Sequence, residues 1–394
     1  MRVLCLVEYY LPAHRAGGPI RSLVSLVQAL GDEFEFRIVT RNRDWSSNEP
    51  YRGIEPSRWV PVGKAHVWYL PQGGEARELK QLLRTEDFDA IYLNSFFSPL
   101  FSVLPLMGWR MGWLRSVPVL VAPRGELAGA AISLKPLRKR AYLLLAKALG
   151  LYDRAWFHAA SAAEAARIEQ VLGAHPERIV VAANTLDSEE RDTRHPLAAS
   201  QVRAPGPLRV VFLSRLSATK NLDFLIEALH QVRTSVECRV YGSASDKAYW
   251  RRCQALAQSL PAQVRLTFHG AVEHHEVSAI FAQHDVFFFP TRTESFGHVI
   301  AESLRAGTPV VTSDQTPWVS DGSAALQTLP ILQPQVWAQA IERWCRFDEA
   351  ALSAARLSTQ TYLSTRPGPA EATQASRQLF DRIRRAATPM ADRP

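Results

Sequence analysis

Residues 285–313 read Asp-Val-Phe-Phe-Phe-Pro-Thr-Arg-Thr-Glu-Ser-Phe-Gly-His-Val-Ile-Ala-Glu-Ser-Leu-Arg-Ala-Gly-Thr-Pro-Val-Val-Thr-Ser. The run Val286–Phe289 is too short for a helix and has no polar side, so it reads as a strand buried on both faces. Pro290 ends it, and a polar loop follows. Phe296, Val299, Ile300 and Leu304 then fall at helical spacing. Gly307 stands where a helix C-terminus needs a residue free of the left-handed penalty, and Pro309 lies just beyond. Residues 310–312 begin a second strand. The whole is a strand–loop–helix–strand unit. Its loop lies at the carboxyl end of the first strand, where open α/β sheets bind ligands.

Two carboxylates frame the helix, which the spacing starts near Phe296. Glu294 is on the loop and Glu302 stands eight residues on, about 12 Å further along a helix axis. By angle Glu302 shares a face with His298, away from Phe296, Ile300 and Leu304. Such a glutamate is either a solvated helix residue or a ligand-binding one, and the spacing leaves both open. Glu-Ser-Phe-Gly-His-Val-Ile-Ala-Glu, followed by Ala-Gly-Thr-Pro-Val-Val, resembles the Glu-x7-Glu signature of glycosyltransferase family 4. The resemblance implies an α/β protein of two Rossmann-like domains facing across a cleft, the glycosyltransferase-B fold. It implies a retaining transferase that uses a nucleotide-sugar donor and needs no metal ion or other cofactor. Glu294 then acts at the donor sugar, Ser295, Phe296 and Gly297 bind the donor, and Glu302 holds ribose hydroxyls.

Glycosyl transfer from a nucleotide sugar builds negative charge on the departing diphosphate, so fixed cations placed there accelerate the step. Ser214-Arg215-Leu216-Ser217-Ala218-Thr219-Lys220-Asn221 follows a strand at 209–213 and precedes a helix at Leu222–Leu229. Taken alone, Arg215 and Lys220 read equally as loop cations of a basic protein. They resemble the family's basic pair, an Arg five residues before a Lys, which implies that they grip the diphosphate in place of a metal.

The same alternation of strand and helix runs through the rest of the chain. Residues 2–7 are an apolar strand, followed by a loop ending in Gly17-Gly18 and a helix introduced by Pro19. No Gly-x-Gly-x-x-Gly is present, which disfavours a nicotinamide cofactor. Gly17 and Gly18 match first-domain glycines that admit the acceptor substrate close to the backbone; a plain tight turn fits them as well. Further strands fall at 36–40, Ala90–Leu93, 117–121, 155–158 and Ile179–Val181. Asp87-Phe-Asp89 spells a metal-binding triad of other transferases, but it leads straight into a strand. Asn184-Thr-Leu-Asp187 shares two of four residues with the family's Asn-Gly-Val-Asp. Residues 188–207 are polar, charged and aperiodic, a linker. A second series of strands at 209–213, 238–241, 264–268, Val286–Phe289 and 310–312 follows it. The predicted domains are an acceptor-binding unit at 1–190 and a nucleotide-sugar-binding unit at 207–368. A closing helix and tail at 369–394 cross back to the first.

At 394 residues, 47% apolar and 21% charged, the chain has the composition of two ordinary globular domains. Its four cysteines are scattered with no Cys-x-x-Cys pair, which suggests neither a disulfide framework nor a zinc site and fits a reducing cytosol. The apolar N-terminal run is broken by Glu8 and reads as a strand, not a signal peptide. No uninterrupted apolar stretch is long enough to span a bilayer. The formal charge is +8, which would suit nucleic acid, an anionic membrane surface or a phosphorylated substrate. No basic stripe interleaves with aromatics and no nucleic-acid motif appears, so the last two are preferred. Residues 133–149 carry Lys135, Arg138, Lys139, Arg140 and Lys147 among leucines and alanines. This is either a solvated basic helix face or a peripheral contact that holds the enzyme at the inner face of the cytoplasmic membrane, where a lipid-linked saccharide acceptor is presented.

One loop departs from the family. Many members have a histidine after the strand resembled by 117–121, whereas this chain reads Pro123-Arg124-Gly125-Glu126, with no histidine from 117 through 157. Arg124 either takes up that catalytic place or is a rim charge paired with Glu126. The Pro-Arg-Gly form resembles a branch associated with bacterial surface polysaccharides. The missing histidine also leaves room for a catalytically silent nucleotide-sugar-binding subunit. An epimerase of the same fold is the remaining alternative, and no acid–base carboxylates for it are evident.

Overall fold

The computed structural model describes residues 1–13, 17–45, 47–133, 136–184 and 206–387. All but the last two residues of the linker at 188–207, three of the four residues 184–187, and Lys135 lie outside the described residues. The chain forms two compact units, Met1–Leu186 with Pro369–Pro394, and Asp187–Gly368.

The first unit contains strands β1 (Arg2–Leu6), β2 (Glu35–Arg41), β3 (Trp59–Val62), β4 (Ala65–Leu70), β5 (Ala90–Leu93), β6 (Val119–Val121), β7 (Trp156–Ala159) and β8 (Ile179–Val181). Its helices are α1 (Gly18–Leu30), α2 (Glu75–Thr85), α3 (Leu104–Arg110), α4 (Gly129–Ser133), α5 (Pro136–Ala148) and α6 (Ala162–Leu172). The second unit has β9 (Leu208–Leu213), α7 (Leu222–Leu229), β10 (Val236–Tyr241), α8 (Lys247–Gln258), β11 (Val264–Gly270) and α9 (Val277–Ala282). It continues with β12 (Val286–Phe289), α10 (His298–Arg305), β13 (Val310–Ser313), β14 (Leu326–Leu329), α11 (Pro334–Cys345) and α12 (Glu349–Ser364). The closing helix α13 (Pro369–Ala387) belongs to the first unit.

Alternation along β1 shows how the first sheet acquires a core on each face. Val3 and Cys5 point to one side, where Leu23, Leu26, Val27 and Leu30 of α1 pack with Leu379, Phe380 and Ile383 of α13. Leu4 and Leu6 point to the other, against Leu79, Leu82 and Leu83 of α2, Leu106 of α3 and Ile168 of α6. Burying the three α13 side chains contributes on the order of 5–9 kcal/mol, comparable with the whole stability of a domain. The closing helix is therefore integral to the first unit and not an appendage.

Strand order places the ligand-binding ends. The first sheet runs β3-β4-β2-β1-β5-β6-β7-β8, and the second β11-β10-β9-β12-β13-β14. All pairings are parallel except β3 with β4 at one edge, a pair not legible in the sequence because Pro61 and Gly63 interrupt it. From β9 the chain first adds strands on one side and then, with β12, on the other, so the order reverses between β9 and β12. In the first sheet the same reversal lies between β1 and β5. A crevice opens at such switch points beyond the strands' carboxyl ends. Val286, Phe287, Phe288 and Phe289 are each fully buried, as the run without a polar side predicts.

Candidate active site

In the second unit three loops leave the carboxyl ends of the adjacent strands β9, β12 and β13. Asn221 ties the first two together. Buried and in the left-handed region (φ 63°), which asparagine tolerates, it donates from Nδ2 to the Pro290 carbonyl at 2.9 Å. Its Oδ1 accepts from Arg292 Nε at 3.0 Å. The Arg292 backbone N–H donates to the Thr219 carbonyl at 2.8 Å, and the Glu294 N–H to the Gln315 carbonyl at 3.0 Å. The Trp318 indole N–H donates to the Phe296 carbonyl at 2.5 Å.

This framework brings together residues 74 positions apart. The Lys220 ammonium forms an ion pair with the Glu294 carboxylate, and the two side chains are only 15% and 13% exposed. Burial lowers the Arg215 guanidinium from its ordinary value, and the nearby Glu294 carboxylate opposes the shift. Arginine stays charged in either case, so two cations and one carboxylate share a half-buried site at the switch point. Ser295 and Phe296 are half-buried on the same loop, and the Phe296 ring lies 4.8 Å from His298.

The helix after this loop starts later than its spacing predicts. Gly297 is the N-cap at φ 82°, and α10 begins at His298, so Phe296 belongs to the loop. A Cβ on Gly297 would stand 3.1 Å from Ile300 Cδ1 and 3.2 Å from Trp318 Nε1. Glycine is required there by backbone conformation as well as by space. Ile300 and Leu304 are buried as the stripe predicts, and Glu302 is half-buried on α10.

In the first unit Gly17 caps α1 at φ 75° and Gly18 opens the helix, with Pro19 in its first turn. Asp89 accepts from the Arg2 backbone N–H at 2.6 Å, and Asp87 pairs with Arg115 at 2.5 Å. Both aspartates precede β5 and so lie away from the carboxyl ends of the strands. Among the described residues no three His, Cys, Asp or Glu side chains gather as metal ligands.

Arg124 is not paired with Glu126. Its expected alternative partner, Glu126, instead accepts the backbone N–H groups of Phe96 and Phe97 at 3.1 and 2.8 Å. Arg124 donates from Nη1 to Asn184 Oδ1 at 2.6 Å, and from Nη2 to Tyr92 Oη at 2.8 Å and Asn94 Oδ1 at 2.9 Å. Its backbone is left-handed (φ 54°), which costs roughly 1–2 kcal/mol. Hydrogen bonds to a charged group contribute about 1.5–3 kcal/mol each, so the three bonds outweigh the strain. Arg124→Lys, which keeps the charge but cannot reach three acceptors, should destabilise the first unit by roughly 2 kcal/mol. An unchanged thermal melt would show these bonds to be energetically idle.

A histidine missed in the sequence belongs to the same network. The Ala182 carbonyl only accepts, so His158 Nε2 carries its hydrogen across the 2.8 Å contact. His158 Nδ1 is then the acceptor for Tyr92 Oη at 2.6 Å. Burial, with a smaller contribution from Arg124, lowers the His158 pKa to about 3. In the second unit burial lowers His284 to about 4. Their folded values lie below the unfolded one, so each adds stability that is present above about pH 6.5 and fades as pH falls toward the folded value. Both rings should therefore keep neutral imidazole ¹⁵N shifts at about pH 5.5. A protonated signature at His158 would contradict its bonding directions.

Two parallel-sheet units of this kind make up the glycosyltransferase-B fold, and solved structures are similar to the chain over nearly its whole length. Anabaena Alr3699/HepE in complex with UDP and glucose is 19% identical, with a TM-score of 0.70 over 97% of this chain and 99% of that one. Sucrose-phosphate synthase from Thermosynechococcus elongatus is 19% identical, with a TM-score of 0.75 over 98% and 99%. The family described as glycosyl transferases group 1 matches residues 196–346, and the glycosyl transferase 4-like domain matches 17–185. The two models fall one in each unit, and both describe glycosyltransferase domains. The D-inositol 3-phosphate glycosyltransferase of Xylanimonas cellulosilytica is 31% identical over 162 residues, 38% of each chain. The putative colanic acid biosynthesis glycosyltransferase WcaL of Salmonella typhimurium is 25% identical over 190 residues, 46% of this chain and 45% of that one. These two matches thus span less than half of each relative's own length.

Proposed function

We propose that this protein transfers a sugar from a nucleotide-sugar donor to a lipid-linked saccharide acceptor in surface-polysaccharide synthesis, with retention and without a metal ion. The observation that carries the donor half is the ion pair of Lys220 with Glu294, beside Arg215, at the switch point of the second unit. Before donor arrives, the carboxylate holds the ammonium in place. An incoming diphosphate gives Lys220 and Arg215 a stronger anionic partner, whose charge grows as the glycosidic bond breaks. Glu294 is then released toward the sugar, with Ser295, Phe296 and Gly297 around it, while Glu302 holds the ribose. The UDP-containing complex among the similar structures supports a nucleotide donor.

The first unit is assigned to the acceptor, with Gly17 and Gly18 at its helix entry. Arg124 is assigned a positioning role, since both Nη atoms already donate within the unit. The colanic acid relative supports a surface polysaccharide as product. Among the described residues no helix is long and apolar enough to cross a membrane. We place the protein at the cytoplasmic face as a peripheral enzyme.

The test is incubation with a panel of nucleotide sugars, without acceptor and in the presence of EDTA. Slow hydrolysis of one donor is expected. Glu302→Gln should weaken calorimetric binding of that donor and of its free nucleoside diphosphate alike. Interconversion of sugars would instead mark an epimerase, and binding without turnover a silent subunit. Loss of activity on chelation, restored by magnesium or manganese, would overturn metal independence.

A further inference from the structure

Helix α5 packs the opposite way from an ordinary surface helix. Its inner side is Lys139, Tyr142, Leu143 and Ala146: Lys139 donates to the Ala131 carbonyl at 2.8 Å and lies 4.6 Å from the Phe97 ring centre. Tyr142 shares a 2.6 Å hydrogen bond with Tyr152, and Ala146 is buried. The leucines face out. Leu137, Leu144 and Leu145 are 84%, 72% and 58% exposed, and Leu149 just beyond the helix is 57% exposed. At about 100° per residue, Leu137, Ala141, Leu144 and Ala148 fall within a sector of about 60° opposite the core. Arg138 flanks that stripe on one side, and Arg140 and Lys147 on the other; all three side chains are exposed. No acidic residue stands between Glu126 and Asp153. Arg110, at the end of α3, adds a cation close to the carboxyl end of α5: a Cβ on Gly150, just past that helix, would lie 3.5 Å from its guanidinium.

We infer that α5 lies in the plane of an anionic lipid bilayer, with its leucine stripe in the acyl boundary and its flanking cations on lipid phosphates. An outward apolar stripe bordered on both sides by cations is the arrangement that an interface of this kind selects. A second copy of the chain is a poorer occupant, because a two-fold contact through this face would bring Arg138, Arg140 and Lys147 against their own counterparts. The inference supplies the membrane surface that a lipid-linked acceptor requires. It therefore extends the acceptor half of the reading above and is independent of the donor half.

The test is co-sedimentation of the full chain with phosphatidylglycerol-rich vesicles and with phosphatidylcholine vesicles, with no donor present, so that failure here leaves donor chemistry untouched. Binding to the anionic vesicles is expected, weakening with added salt. The variant Arg138→Gln/Arg140→Gln/Lys147→Gln should lose on the order of a hundredfold in partitioning. Leu137→Gln/Leu144→Gln should lose more than tenfold, with an unchanged thermal melt because both positions are exposed. Three results would each overturn the proposal: no anionic-vesicle binding by the parent, parent-like binding by the leucine variant, or a parent dimer in size-exclusion chromatography that the leucine variant converts to monomer.

Discussion

Lys220→Ala and Arg215→Ala should each slow sugar transfer by about a hundred- to a thousandfold at saturating donor, a loss of roughly 2.7–4 kcal/mol from the transition state. On the proposed reading the effect is large because both cations act where charge appears during the reaction. Lys220→Ala carries an added cost: it leaves Glu294, 13% exposed, without its ammonium partner. That carboxylate would repel the diphosphate, so donor affinity should fall along with turnover. Lys220→Ala/Glu294→Gln removes the stranded charge and should recover part of the affinity but not the turnover. Single-turnover kinetics with calorimetric titration of the donor separate the two. Near-parental turnover in both single variants would remove the diphosphate role.

Gly242→Ala should be among the most damaging single substitutions in the second unit. Gly242 has φ 141°, and a Cβ there would stand 1.8 Å from the Ser214 carbonyl oxygen and 2.7 Å from its carbon. The obstacle is backbone, held by the Ser214 N–H to Tyr241 carbonyl and Leu216 N–H to Ser243 carbonyl bonds at 3.1 and 2.9 Å. It cannot rotate away as a side chain would. A shift of Ser214 also moves Arg215. We expect a loss of roughly 3 kcal/mol or more of stability together with reduced transfer. Gly270→Ala is the control: φ is 80°, and nothing lies within 4 Å of the added methyl. It should cost only the left-handed backbone, about 1–2 kcal/mol. Equal thermal melts for the two variants would show that the close approach of Gly242 to Ser214 has no energetic weight.

Much of the second unit was legible because its signals are local. The four apolar residues of β12, the helix stripe on α10 and the glycine at its end are periodicities within one segment, and they resolve into the elements predicted. The ion pair of Lys220 with Glu294 was not legible, since no local pattern links positions 74 apart; the resemblance implied only that one serves the diphosphate and the other the sugar. The start of α10 was misplaced by two residues because Phe296 continues the apolar spacing, although Gly297 sets the backbone turn. The antiparallel pair of β3 and β4 carries no legible local signal, because an edge strand tolerates the proline and polar residues that argue against a buried one.

Amino-acid order alone set the alternation of strands and helices, the two-unit division and the residue types available for charge stabilisation. These follow from hydrophobic period and turn chemistry, which act between neighbours in the chain. Tertiary structure decided what each charge touches. Arg124 has partners 30, 32 and 60 positions away because β5, β6 and the end of β8 come together in the first sheet. It also decided which way α5 faces: a helix with leucines around much of its circumference has no preferred inner side until Tyr142 finds Tyr152 and Lys139 finds Phe97. The physical reason is the same in both cases. Local propensity selects the element, whereas strand order and packing select its neighbours, and only the neighbours determine whether a charge or an apolar stripe is left for a ligand.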